Sequence, residues 1–376
     1  MEFRDLKKQY LAYQHEVDTA INEVLKETNF ISGNQVSQLE TELADYVGVK
    51  HCVTCANGTD ALQLALMAWE IGVKDAVFVP DFTFFSSGEV VPTVGATPIF
   101  VDVERDTFNI DPKKLDIAIQ AVLAEGKLTP KVIVAVDLFG QPANYSEIRK
   151  IADKYDMYIL EDGAQGFGGR IGDKMACSFG DISTTSFFPA KPLGCYGDGG
   201  AIFTDNDEWD ALLRSYRVHG KGTDKYDNVR IGMNSRLDTI QAAILRVKLR
   251  HFEDEVKAVN EVAKYYQEEL SGIEMIERPF VKEGYRSSWA QYTIKVPAHK
   301  RDEIILKLKE KNVPAMIYYK TPMHMQPAFK CVVNNDRDFM TTKEVCERVI
   351  ALPIGPFANT DANSVVVELK KILEQL

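Results

Sequence analysis

The sequence predicts an α/β protein with a mostly parallel central sheet flanked by helices, followed by a smaller α+β portion. Three observations carry that prediction. From residue 50 onward, short apolar runs alternate with amphipathic stretches. The runs are continuous rather than alternating, as in parallel strands buried on both faces. Near residue 236 this rhythm gives way to one long helical stretch and then to mixed elements.

Residues 13–28 read as a helix, with apolar spacing at Val17, Ala20, Ile21, Val24 and Leu25. The stretch 29–34 interrupts it, and a second helix runs from about Val36 to Tyr46. Strands are then expected at 49–56, 75–80, 97–103, 131–138 and 157–162, with helices at 60–69, 112–123 and 145–155 and a short one within 86–95. After Gly180 the spacing shortens: strands at 182–188 and 199–205 leave no room for a crossover helix. Leu237–Tyr266 reads as one long helix or two nearly continuous ones, followed by a strand at 289–297, a helix at 301–310 and a further apolar stretch at 313–319. The expected division is an N-terminal helical arm (1–30), a large α/β domain (31–245) and a small α+β domain (246–376).

The formal charge of −11 argues against a nucleic-acid partner, whose phosphates attract basic surfaces. The charged N-terminus is unlike a signal peptide, and no apolar run is long enough to span a membrane. A cytoplasmic location and reduced thiols follow for Cys52, Cys55, Cys177, Cys195, Cys331 and Cys346. Cys52 and Cys55 form a C-x-x-C in an apolar strand without a second pair, so buried thiols are expected rather than a metal site. Met323, His324 and Met325 read as cleft wall or packing, again with no metal.

Three segments carry chemistry. Asn57-Gly58-Thr59-Asp60 joins a strand to a helix, and a helix start offers free N–H groups to a phosphate. The same residues also make an ordinary N-cap. Glu161-Asp162-Gly163 ends an apolar strand, where open α/β sheets gather ligands, although an acid there can simply be solvated. Alternation puts Glu161 on the face opposite Asp162, which marks Glu161 as the structural one. Lys191 lies in an otherwise uncharged turn bounded by Phe188, Pro189 and Pro192. A desolvated lysine loses basicity and becomes a nucleophile toward aldehydes, whereas a turn lysine can also reach out to water. Together the three meet the needs of pyridoxal 5'-phosphate: a phosphate anchor, a carboxylate for the pyridine nitrogen and an amine for C4'.

The residues Phe3-Arg4-Asp5-Leu6, Phe30-Ile31-Ser32-Gly33, Asn57-Gly58-Thr59-Asp60-Ala61-Leu62, Glu161-Asp162-Gly163-Ala164-Gln165, Ser186-Phe187-Phe188-Pro189-Ala190-Lys191 and Asn234-Ser235-Arg236-Leu237-Asp238 resemble the DegT/DnrJ/EryC1/StrS sugar aminotransferases along essentially the whole chain. The resemblance implies the fold-type-I, aspartate-aminotransferase-like architecture. It implies Lys191 as Schiff-base lysine and proton carrier, and Asp162 as pyridinium partner. Gly58, Thr59 and Ser186 would take the phosphate, Phe84 the ring face and Gln165 the phenolic oxygen. Asn234 would reach the phosphate from a neighbouring subunit, making a homodimer with shared sites. Arg236, Tyr318, Tyr319, Phe30 and His219 would face substrate, His219 alternatively being a solvated loop residue.

The implied reaction uses L-glutamate, releases 2-oxoglutarate, passes through pyridoxamine phosphate and aminates a nucleotide-linked keto-sugar. The lysine loop is most similar to 3-aminotransferases, so UDP-2-acetamido-2-deoxy-3-oxo-glucuronate is the expected acceptor. A dTDP-3-oxo-6-deoxyhexose or a 4-keto sugar is the alternative. Two departures stand out: Tyr318-Tyr319 replaces His-Tyr, and Gly163 replaces alanine. A dehydrogenase would need G-x-G-x-x-G after the first strand, which is absent, and a dehydratase of this group carries histidine in place of Lys191. A non-enzymatic regulator on the same fold is the remaining alternative of a different class.

Overall fold

The computed structural model describes residues 1–224, 226–330 and 339–376. Helix α1 (Leu6–Glu27) opens the chain and α2 (Asn34–Val47) follows. The first helix begins earlier than its apolar spacing suggests. Asp5 caps it by accepting from Lys8 N at 2.9 Å, and its first buried residue is polar: Gln9 donates to both oxygens of Glu255 at 2.9 and 2.8 Å. A polar residue buried by pairing leaves no mark in hydrophobic periodicity.

The alternating region then unrolls as β1 (His51–Cys55), α3 (Gly58–Ala68), β2 (Asp75–Pro80), α4 (Ser86–Thr93), β3 (Thr97–Val101), α5 (Pro112–Glu125), β4 (Thr129–Val136), α6 (Tyr145–Tyr155) and β5 (Tyr158–Asp162). A small hairpin, β6 (Arg170–Ile171) and β7 (Lys174–Met175), precedes β8 (Ile182–Ser186) and β9 (Gly200–Thr204). The seven-stranded sheet has the order β1-β9-β8-β5-β4-β2-β3. Its pairs are parallel from β3 through β8, and β9 alone runs against its neighbours. The short β8–β9 link explains that reversal. The fold is therefore the expected mostly parallel α/β sheet with helices on its faces.

Helix α7 (Asp207–Tyr216) escapes a sequence reading because it buries only Leu213 and Ser215. It rests instead on a cap, Asn206 accepting from Glu208 N at 2.9 Å and Trp209 N at 3.0 Å. Helix α8 (Thr239–Glu269) runs unbroken across residue 245. Its first half packs Ala242, Leu245, Phe252 and Val256 against the sheet side, and its second half packs Val259, Val262, Ala263 and Tyr266 into a separate C-terminal core.

That core is completed by β11 (Tyr292–Lys295), α9 (Ala298–Glu310), β12 (Val349–Leu352) and α11 (Asn359–Leu373), with β11 and β12 antiparallel, whereas α10 (Met340–Arg348) buries Val345 and Cys346 in the core of the large sheet. β10 (Tyr285–Arg286) joins the β6–β7 hairpin. The apolar stretch 313–319 forms no strand, only a bridge from Met316 to Ala351, because Ile317, Tyr318 and Tyr319 turn toward the large core. Cys52, Cys55, Cys177, Cys195 and Cys346 are buried free thiols, and burial pushes the Cys55 thiol up to about 12. Cys331 lies outside the described residues. Among the described residues no helix is long and apolar enough to cross a membrane.

Candidate active site

The carboxyl ends of β1, β4, β5 and β8 open onto one cleft of about 1630 Å³, counting its open mouth. Alternation along β5 separates its two acids. Glu161 is buried and accepts from Cys177 N (2.5 Å), Phe179 N (2.7 Å), Gly180 N (3.1 Å) and Ser183 Oγ (2.8 Å), which makes it a loop organiser. Asp162 faces the cleft; its Oδ2 accepts from Ser87 Oγ at 2.7 Å and its Oδ1 from Ala164 N at 3.2 Å.

Lys191 enters the same cleft from the β8–β9 link. The link is held as a tight turn by Lys191 N donating to Phe188 O and Cys195 N to Phe187 O, each at 2.8 Å. Burial pulls the Lys191 amine below the ordinary lysine value, against the opposing pull of the Asp162 carboxylate and with help from the Arg4 cation. The amine stands 6.0 Å from the centre of the Phe84 ring, which is half exposed at the cleft wall.

The first turn of α3 forms the floor. Asn57 caps it by accepting from Asp60 N at 2.8 Å, and Thr59 Oγ1 pairs with Ser86 Oγ at 2.7 Å. A Cβ at Gly58 would lie 2.7 Å from the Ser186 Cβ, so only glycine lets the end of β8 meet this helix start. Gln165 accepts from Phe139 N at 2.6 Å and donates to Tyr319 Oη at 3.0 Å, which fixes its amide.

Gly58, Thr59, Phe84, Asp162, Gln165, Ser186, Lys191, Tyr318 and Tyr319 thus line one cleft. Phe30, His219, Asn234 and Arg236 do not line it within the chain. They share one surface strip: Phe30 O accepts from Thr239 N, Ile31 bridges Asp238, Val218 bridges Asn234, and His219 N donates to Met233 O. Arg236 Nη2 donates to Asn234 Oδ1 at 2.5 Å. His324 is packed away from the cleft, its Nδ1 2.6 Å from Asp81 Oδ2. Sequence reasoning missed Ser86, Ser87, Thr83 and Gln291. The paired serines directly after Phe84-Phe85 were the available signal; Gln291 had none.

This donor set fits pyridoxal phosphate: free N–H groups at a helix start, hydroxyls beside them, a carboxylate and a lysine facing one space, and an exposed aromatic face. The profile of the DegT/DnrJ/EryC1/StrS aminotransferase family matches residues 12–370. The chain belongs to that family.

This aminotransferase is 40% identical over 368 residues to a UDP-2-acetamido-2-deoxy-3-oxo-D-glucuronate aminotransferase of Pseudomonas aeruginosa, spanning 97% of the chain and 98% of the relative. A DegT/DnrJ/EryC1/StrS aminotransferase from Brucella abortus superposes with a TM-score of 0.96 at 44% identity, covering 99% of both chains. NtdA from Bacillus subtilis, solved with bound cofactor PMP, gives 0.88 at 29% identity, covering 96% of this chain and 82% of that one. The aminotransferase is accordingly a pyridoxal phosphate-dependent transferase of fold type I.

Proposed function

We propose that this aminotransferase moves the amino group of L-glutamate onto a nucleotide-linked 3-keto sugar, with UDP-2-acetamido-2-deoxy-3-oxo-glucuronate as the acceptor. The observation that carries the reading is that Lys191, Asp162 and the α3 start face one cleft. The name of the Pseudomonas aeruginosa relative supports the choice of sugar.

Gly58, Thr59 and Ser186 would hold the cofactor's phosphate, Phe84 would cover one ring face, and Gln165 would meet the phenolic oxygen. When bound, pyridoxal phosphate supplies an electron sink for the pair released at the substrate carbon. The Asp162 carboxylate holds a proton on the pyridine nitrogen, and Ser87 keeps that carboxylate aimed. Lys191 Nζ tethers the cofactor and moves the proton of each half-reaction; its lowered basicity leaves more of the amine free to accept it. Tyr318 and Tyr319 flank the substrate space.

Asn234, Arg236, Phe30 and His219 act in trans: a second copy brings their strip to the cleft mouth, where Asn234 meets the phosphate and Arg236 grips a carboxylate. Their surface position outside the chain's own cleft supports that arrangement. The test is a panel of 3-amino and 4-amino sugar nucleotides run in reverse with 2-oxoglutarate and read by mass spectrometry. Turnover of the UDP-linked 3-amino uronate supports the reading; turnover of 4-amino sugars only overturns it.

A further inference from the structure

The segment ahead of α1 reaches the cleft from behind. Arg4 Nη2 donates to Pro192 O at 3.1 Å, one residue past Lys191. The neighbouring Phe3 ring packs edge-on against Tyr318 on the cleft wall, with centroids 6.0 Å apart. On α8, Lys248 donates to Gly194 O, so two cations hold two carbonyls of the same turn. Glu255, two turns further along the same face of α8 and bound by Gln9, lines a small cavity with Arg4, Pro192 and Phe252. None of these contacts is needed to cap α1, which Asp5 does alone.

We infer that Arg4 is a positioning residue for Lys191: it clamps the turn through Pro192 O and places a fixed positive charge behind the amine. This rests on Lys191 being the cofactor-bearing lysine. A guanidinium keeps its charge at any working pH, so it is suited to a standing bias rather than a switch. A positive neighbour disfavours a proton on Lys191 Nζ, and a negative one favours it. The charged and titratable groups around the turn are Asp162 at the end of β5, Arg4 ahead of α1, Cys195 in the turn itself, Asp198 beyond it, Lys248 and Glu255 on α8, and Tyr318 and Tyr319 on the cleft wall. Arg4 and Asp162 pull Lys191 in opposite directions; burial lowers the Arg4 guanidinium, and the neighbouring Glu255 carboxylate opposes that lowering while its negative charge partly offsets the Arg4 field.

The test uses the full-length, cofactor-loaded protein. Borohydride reduction and peptide mapping first locate the cofactor's attachment. A label elsewhere than Lys191 defeats the assignment of the lysine itself. With the label on Lys191, visible absorbance is titrated against pH in wild type, R4Q, R4K and E255Q, each checked for folding by circular dichroism. R4Q should raise the midpoint by about one pH unit, and R4K should bring it at least half way back. E255Q, which leaves Arg4 in place, should move it below wild type. A midpoint unchanged in R4Q, equal in R4K and R4Q, or raised in E255Q overturns the inference while leaving the role of Lys191 intact.

Discussion

Ser87 Oγ lies 2.7 Å from Asp162 Oδ2, and the same hydroxyl is 3.0 Å from Thr83 Oγ1. The relay joins the start of α4 to the end of β5, so the loop that carries Phe84 also aims the carboxylate. Replacing Ser87 with alanine leaves one carboxylate oxygen without its donor. Such a loss costs about 1–2 kcal/mol, or roughly a tenfold drop in kcat/KM, with weaker retention of cofactor on dialysis. Steady-state kinetics and absorbance after dialysis measure both; unchanged values would show that Ser87 does not aim Asp162.

Lys191→Ala should abolish turnover and the visible absorbance of the loaded enzyme while leaving the fold intact, since among the described residues the turn is held by backbone bonds, Lys191 N to Phe188 O and Cys195 N to Phe187 O, and not by the lysine side chain. Asp162→Asn should keep the cofactor but lower kcat by at least about a hundredfold, because an amide cannot hold the ring nitrogen protonated. A K191A enzyme with normal turnover would defeat the mechanism.

Gly58→Ala places a methyl 2.7 Å from the Ser186 Cβ. The crowding should destabilise by about 1–3 kcal/mol and lower cofactor affinity. In the double variant with Ser186→Gly the obstructing Cβ is gone, so stability should return further than the two single effects predict by addition. Thermal unfolding of the four proteins reads this directly; strict additivity would mean the contact is not the cause.

The proposed shared site makes a complementation prediction. Lys191→Ala and Asn234→Ala should each be nearly inactive alone. Unfolded and refolded together they form hybrid dimers in which one of the two sites carries both native residues, and activity should reappear. Mixtures as inactive as their components would place Asn234 outside the neighbouring site.

Glu277 ties Arg105, Arg348 and Lys295 at 2.8, 2.7 and 3.1 Å. Burial alone would raise its carboxyl, but hydrogen bonds from those three cations outweigh it and hold the group at about 2 against an ordinary 4.5. A depressed folded value means that its contribution is complete above about pH 4.5 and fades as pH falls toward 2. Glu277→Gln should therefore flatten the acid limb of stability in that window and leave neutral pH less stable than wild type, as urea unfolding at several pH values would show.

The order of strands from β1 to β5 was legible because each is an apolar run closed by glycine, proline or acid, and burial on both faces requires such runs. The reversal of β9 was legible from the length of its link. The start of α1 and all of α7 were not: Gln9 and Asn206 stabilise them through polar contacts whose partners are distant or local to the cap. The residues at the ends of strands showed the chemistry, since Lys191 in an uncharged turn and Asp162 opposite Glu161 are unusual choices for solvent.

What the sequence alone determined is therefore the class of sheet and the chemical character of the residues at its strand ends, because both are written in local residue types. What only the tertiary structure decided is which groups share a space. Ser87 meets Asp162 from 75 positions away, and Arg4 reaches Pro192 across 188. Folding also puts Asn234 and Arg236 on a strip outside the chain's own cleft. The physical reason is that hydrogen bonds and electrostatic fields act over a few ångströms in space, and sequence separation carries no information about that distance.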